Sequence, residues 1–245
     1  INPKTFENCA SLTHVTFASN SALTMILVEA FRSSGVTAIS IPQGVTSIQT
    51  LAFVFCNRLK SITFAKDSVL SRLDVNVFAG SGLENIIIPK SVKEIQMWAF
   101  NQCFSLKTVV FSENSVLSSI QDEAFQNCRS LISIDIPNSV ISIGDLAFNN
   151  CFLLKSIKFS SSSSISNIGV DCFRETSISQ CAITPNAGGT VVIPKTLSSF
   201  YPLAFYGCPS NSNQLIIAYD VGSIMKYISN YAFYGSNIQS ITLPQ

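Results

Sequence analysis

L-E-N-I-I-I-P-K-S-V-K-E-I-Q-M-W-A-F-N-Q-C, running from Leu83 to Cys103, is the stretch that decides the fold. Leu83, Ile86 and Ile88 are apolar with Asn85 between them, and this two-residue alternation predicts a short strand. Pro89 follows at the strand end, where its missing amide costs the ladder nothing. A second apolar pair, Val92 with Ile95, predicts another short strand. Ala99, Phe100 and Cys103 are then spaced so that one helical turn would put them on a common inward side. Strand, second strand and helical turn cannot bury their apolar sides alone, so copies must stack.

Copies run along the whole chain. Phe6, Phe31, Phe53, Phe78, Phe100, Phe125, Phe148, Phe173, Phe205 and Phe233 mark the same place, at separations of 25, 22, 25, 22, 25, 23, 25, 32 and 28 residues. Two linkers produce the alternation. A tight one carries Pro, as from Ile88 to Gln96, and a longer one is Ser-rich, as from Phe111 to Gln121. The expected architecture is a β-rich solenoid of about ten turns of 22–25 residues, a single domain over 1–245. It is regular over 1–173 and looser, with insertions, over 174–245. Parallel strand connections make a right-handed coil the default. Because Leu243-Pro244-Gln245 directly follows a strand-like run, a fragment of a longer array is expected.

The full pattern L-x-x-I-x-I-P-x-S-V-x-x-I-x-x-x-A-F-x-x-C resembles the BspA-like leucine-rich repeats of surface proteins from bacteria and parasitic protozoa. The resemblance covers essentially all 245 residues and is loosest after Phe173. It implies a leucine-rich-repeat coil of the α/β horseshoe type, a cell-surface or extracellular place, and adhesion to host matrix or to other cells.

Composition narrows the function classes. Charged residues make up 12% of the chain, about half the share in an ordinary soluble protein, roughly 25%. The formal net charge is +1, which gives no electrostatic footprint for nucleic acid or an anionic membrane. Mean hydropathy is +0.37, yet no window approaches the ~18 uninterrupted apolar residues of a spanning helix. No signal peptide is visible at Ile1-Asn2-Pro3, so the location follows from the resemblance alone.

The chemistry-bearing residues are few. Cys9, Cys56, Cys103, Cys128, Cys151 and Cys208 sit three residues after a marker Phe, where Ser34, Ser81, Thr176 and Ser236 stand in the other turns. A position that accepts Cys, Ser or Thr asks for a small buried side chain. Cys103, Cys128 and Cys151 on consecutive turns come within disulfide reach, but Ser in alternate turns speaks for reduced, structural thiols. His14 is the single histidine and reads as a sheet-face residue. Asp122-Glu123 reads as the start of a helical turn, favoured by its dipole. Gly188-Gly189 reads as a turn and Ser160 to Ser164 as a flexible linker. No nucleotide, hydrolase or metal signature is present, so neither enzyme activity nor a cofactor is expected.

Binding residues must come from positions that do not build the coil. The third and fifth residues of each L-x-x-I-x-I run face outward: His14/Thr16, Ala38/Ser40, Ser61/Thr63, Asn85/Ile87, Thr108/Val110, Ser133/Asp135, Ser156/Lys158 and Gln180/Ala182. In this mostly polar ladder Ile87 and Val110 are apolar neighbours, followed by Asp135 and Lys158. Such a spot has the composition of a modest contact site, and β-branched residues also simply favour a sheet. The second set is Tyr201, Tyr206, Tyr219, Tyr227, Tyr231 and Tyr234, all the tyrosines of the chain, gathered in the looser third. They suit an interface or a cover for the end of the core. The expected function is a cell-surface adhesion module with a protein or glycan partner, no nucleic acid and no membrane span. The alternative is a spacer or an array segment that associates end to end.

Overall fold

The computed structural model describes residues 1–159, 162–177, 190–193, 196–197, 199–200, 215–219, 224–232, 234 and 238–241. Its main strands are β1 (His14–Val15), β3 (Ala38–Ile41), β5 (Ser61–Phe64), β7 (Asn85–Ile88), β9 (Thr108–Phe111), β11 (Ser133–Ile136) and β13 (Ser156–Phe159). Shorter strands lie between and beyond them: β2 (Met25–Ile26), β4 (Ser47–Ile48), β6 (Arg72–Leu73), β8 (Glu94–Ile95), β10 (Ser119–Ile120), β12 (Ser142–Ile143), β14 (Asn167–Ile168), β16 (Ser199–Phe200) and β18 (Tyr227–Ile228). Three further strands complete the set, β15 (Thr190–Ile193), β17 (Leu215–Tyr219) and β19 (Ile238–Ile241).

The seven main strands form one parallel sheet in chain order, and β6 to β18 of the short set form a second of seven strands. Equivalent residues stand opposite each other: Asn85 meets Thr108, Ile86 meets Val109, Ile87 meets Val110 and Ile88 meets Phe111. The stack of main strands is continuous for seven turns. The ten-turn expectation is not borne out, since β15, β17 and β19 form a separate three-stranded sheet. The markers Phe205 and Phe233 and the pair Gly188-Gly189 lie outside the described residues.

Between the sheets runs a column of phenylalanine rings. Phe6, Phe31, Phe53, Phe78, Phe100, Phe125, Phe148 and Phe173 stack with successive centroids 5.0, 4.9, 5.6, 5.4, 4.9, 5.2 and 5.6 Å apart. All but the first are fully buried. Each buried ring is worth about 1.5–3 kcal/mol of transfer energy, with offset stacking adding to it. Leu59, Leu83, Leu106, Leu131 and Leu154 form a second buried column, and Ile95, Ile120 and Ile143 a third.

The marker segment is not helical, and the reason is visible in the stretch quoted first. Trp98 and Gln102, two residues either side of Phe100, have φ of 58° and 59°. The same two places are left-handed in every turn from Lys4 and Asn8 to Asp171 and Glu175, with Gly80 among them. The amides of Ala99, Asn101 and Cys103 donate three residues back, to Gln96, Trp98 and Phe100. Those of Trp98, Phe100 and Gln102 instead donate to carbonyls of the next turn, on Asp122, Ala124 and Gln126. A helix would keep all its donors to itself; this segment spends half of them on holding two turns together. Among the described residues there is no helix, so the helical turn of the expected horseshoe is corrected to a pair of tight left-handed bends.

Serine in the linkers has an assignable role. The hydroxyls of Ser21, Ser68, Ser115 and Ser163 each accept from the amide two residues on, at 3.3 Å, a local turn-forming bond. Ser163, from the run read as a flexible linker, is buried. Other hydroxyls reach the preceding turn, as Ser91 does to the Leu70 carbonyl at 2.7 Å and Ser139 to the Ser115 carbonyl at 3.0 Å.

Candidate ligand-binding face

The outward positions of the main strands are exposed as the alternation requires, and their inward neighbours are buried. Ile87 is 61% exposed and Val110 46%, and they are direct partners in the β7–β9 register. Asp135 and Lys158 are partners across β11 and β13, joined by an ion pair of 3.6 Å between well-exposed side chains. Such a pair contributes little stability, about 0–1 kcal/mol, and leaves both groups available to solvent. The four residues therefore lie on four successive strands of one face. His14 is exposed on β1 and bonded to the Thr13 hydroxyl at 2.9 Å. Gln180 and Ala182 lie outside the described residues.

At the C-terminal ends of these strands the two linker types give the surface relief. Residues of the longer Ser-rich linkers line furrows on both sides of a shorter Pro linker in two cases and on one side in a third, which makes ridges of the long linkers and a floor of the short one. Three shallow furrows of about 900, 510 and 550 Å³ result. Their floors carry Pro42 in the first, Pro89 in the second and Pro137 in the third. Ile87 lines the second, and Val110, Asp135 and Lys158 line the third. The residues singled out by composition are thus the strand-side walls of two furrows.

The sequence reading missed the furrows and one more element of them. Every second L-x-x-I-x-I run ends in Phe instead of Ile, at Phe17, Phe64, Phe111 and Phe159. Phe159 is buried, but Phe17, Phe64 and Phe111 are only partly so and pack one side against the core. Phe17 and Phe64 line the first furrow, Phe64 the second and Phe111 the third. The signal was present in the alternation of I-x-I with I-x-F.

The tyrosines divide. Tyr227, Tyr231 and Tyr234 are exposed, and the last two meet edge to face with centroids 5.6 Å apart. Tyr219 lies in β17; Tyr201 and Tyr206 lie outside the described residues. Elsewhere, the Arg129 guanidinium lies 4.9 Å from the exposed ring of Phe104 and 5.7 Å from that of Phe152.

Among the described residues, five thiols from Cys56 to Cys172 belong to the interior and Cys9 is partly buried. Cys9, Cys56, Cys103, Cys128, Cys151 and Cys172 are free. Cys56, Cys103, Cys128 and Cys151 donate to the carbonyl of the preceding turn's marker phenylalanine, at 2.9, 3.1, 3.2 and 3.2 Å. Burial pushes the Cys103 thiol up to about 12 and those of Cys128, Cys151 and Cys172 well above the ordinary thiol value. Cys181 and Cys208 lie outside the described residues. Asp122 caps no helix: its Oδ1 accepts the amide of Asp145 on the next turn at 2.9 Å. Among the described residues no three His, Cys, Asp or Glu gather as a metal site, and no helix is long and apolar enough to cross a membrane.

A model of the BspA-type leucine-rich repeat region matches the sequence in six copies, over residues 1–103, 71–189 and 188–245. The chain belongs to the BspA-type leucine-rich repeat family. Solved structures agree with this BspA-type coil. The pneumococcal vaccine antigen PcpA matches 85% of this chain with 51% of its own, at 26% identity and a TM-score of 0.59. A leucine-rich repeat protein from Bacteroides ovatus matches 94% of this chain with 66% of its own, at 23% identity and a TM-score of 0.57; it shares the fold. The chain spans about half the length of the first and just under two thirds of the second. No match was found among curated proteins.

Proposed function

We propose that this BspA-type array is a cell-surface binding module that adheres to macromolecules of a host or partner cell, protein or glycan, through the outward face of its main strands. The observation that carries this reading is the apolar pair Ile87 and Val110, exposed side by side next to an open ion pair and bordering two furrows. Exposed apolar neighbours with a polar rim are what a contact site needs. The description of PcpA as a vaccine antigen supports a place at the cell surface. Repeat scaffolds of this class are typically binding modules, and we read this one as non-enzymatic and without a cofactor. Its 245 residues act as one domain.

The test is saturable binding of the purified chain to immobilised matrix proteins and to partner cells. Ile87→Asp and Val110→Asp, both at exposed positions, are expected to weaken it tenfold or more. Binding that survives both and falls with Tyr231→Ser would move the contact to the tyrosine end. Absence of saturable binding, with mass that rises with concentration in sedimentation, would replace adhesion by the end-to-end array.

A further inference from the structure

The furrows recur every second turn, because ridge and floor are made by alternating linkers. Two strand spacings in a parallel stack amount to about 9.6 Å. Each furrow is lined by a half-buried phenylalanine ring, Phe17, Phe64 or Phe111, which recurs with the same period. An aromatic surface at each step, with hydroxyls and amides beside it, suits a ligand with apolar faces and many hydroxyl groups. Ser40 and Thr63 provide such groups in the first furrow, and Asn114 and Ser115 in the third.

Charge narrows the class further. The first furrow has no charged lining residue; the second has Lys66 and Lys90 against Asp67 and Glu113; the third has Lys158 against Asp135. Every furrow is neutral in sum, so a polyanion would find no excess of cations to replace its counterions. A peptide strand would find a free ladder only at the sheet's two edges, β1 and β13, since β3 to β11 are paired on both sides.

We propose that the three furrows form one track for an extended, uncharged β-1,4-linked polysaccharide, whose chain repeats every second sugar over about the distance of two turns. Alternate sugars lay their C–H faces on Phe17, Phe64 and Phe111, at the feet of the ridges, and the sugars between them lie over the Pro42 and Pro89 floors. This deepens the adhesion reading and rests on it. One furrow binds a disaccharide weakly. A longer chain gains because each further furrow is filled intramolecularly, an effect that reaches 10²–10⁴-fold, roughly, when the spacing fits.

The experiment titrates the full chain with neutral β-1,4-linked N-acetylglucosamine oligomers from disaccharide to hexasaccharide, and with α-1,4-linked glucose oligomers of the same lengths. Expected is a rise of at least tenfold in affinity from β-linked disaccharide to hexasaccharide, with no such rise in the α-linked series. Phe64→Leu and Phe111→Leu keep apolar bulk on the core and are expected to lower hexasaccharide affinity tenfold, with thermal unfolding checked in parallel. Gln43 is exposed and lines the first furrow, so Gln43→Trp is expected to fill that furrow and to shorten the oligomer length at which affinity saturates. Length-independent binding, indifference to linkage, or hexasaccharide affinity unaltered in the folded variants would overturn the track. If every oligosaccharide fails while cells or matrix proteins still bind, the track falls and the adhesion reading stands; if both fail, both fall.

Discussion

Phe125 shows what a single residue contributes. Its ring lies 4.9 Å from Phe100 and 5.2 Å from Phe148, and both neighbours are anchored by amides that bond to the next turn. The gap left by Phe125→Ala can therefore close only in part. We expect a loss of about 3–5 kcal/mol in urea unfolding; a loss under about 1 kcal/mol would mean that the stack slides to fill the space. The buried thiols add a dependence on alkali. Because burial raises the Cys103 pKa from 9.0 to about 12, the folded chain holds that proton more tightly than the unfolded one. Its contribution is complete below pH 9 and is lost as the pH rises toward 12. Cys103→Ser is expected to flatten that limb of the stability curve; an unchanged limb would remove the thiol from the account. The marker phenylalanines were readable from spacing because a large ring recurs at a fixed place. The thiol-to-carbonyl bonds were not, because a buried Cys looks like any small apolar residue until its partner one turn away is placed.

At the scale of the element, the bend around each marker was taken for a helix because Ala, Phe and Cys three and four apart satisfy either geometry. What separates the two is the sign of φ two residues on each side, and most residues at those places are not glycine. Left-handed backbone costs a non-glycine residue roughly 1–2 kcal/mol, so it persists only where bonds between turns require it. Glu123, with φ of 54°, is a place to measure this: Glu123→Gly is expected to gain up to about 1 kcal/mol, less what glycine costs the unfolded chain. Gly144 tests the opposite requirement. A Cβ there would lie 2.2 Å from Asp122 Oδ1 and 2.5 Å from the Asp122 amide nitrogen. Gly144→Ala is expected to displace the carboxylate from the Asp145 amide and to cost about 1–3 kcal/mol; a neutral result would show that the Asp122 cap is dispensable. The strands themselves were legible, since their two-residue alternation admits one reading. The relief made by their linkers was not, because it needs two ridges and a floor together.

At the scale of the whole molecule, charge acts in a few local clusters. Hydrogen bonds from Lys4 and Arg32 hold the Glu29 carboxyl below its ordinary range, and Lys107, with Lys60, does the same for Glu84. The unfolded chain therefore takes up those protons first on acidification. The contribution is full above the ordinary carboxyl value of 4.5 and is lost as pH falls through the lower folded values. Glu29→Gln with Glu84→Gln should make stability less sensitive to acid below pH 4.5, read from melting temperature against pH; equal slopes would show that these clusters are fully screened. Below that range the stack depends on neutral contacts between nearest neighbours.

The pairing of long and short linkers also sets the length by which such a coil can be edited. Phe17, Phe64 and Phe111 are 47 residues apart. An in-frame loss of one such double turn would rejoin a long linker to a short one and leave the corrugation unbroken. Loss of a single turn would set two like linkers side by side and throw every later ridge out of phase with the earlier ones. The coil as a shape can change length by one turn, but as a ruler it can change only by two.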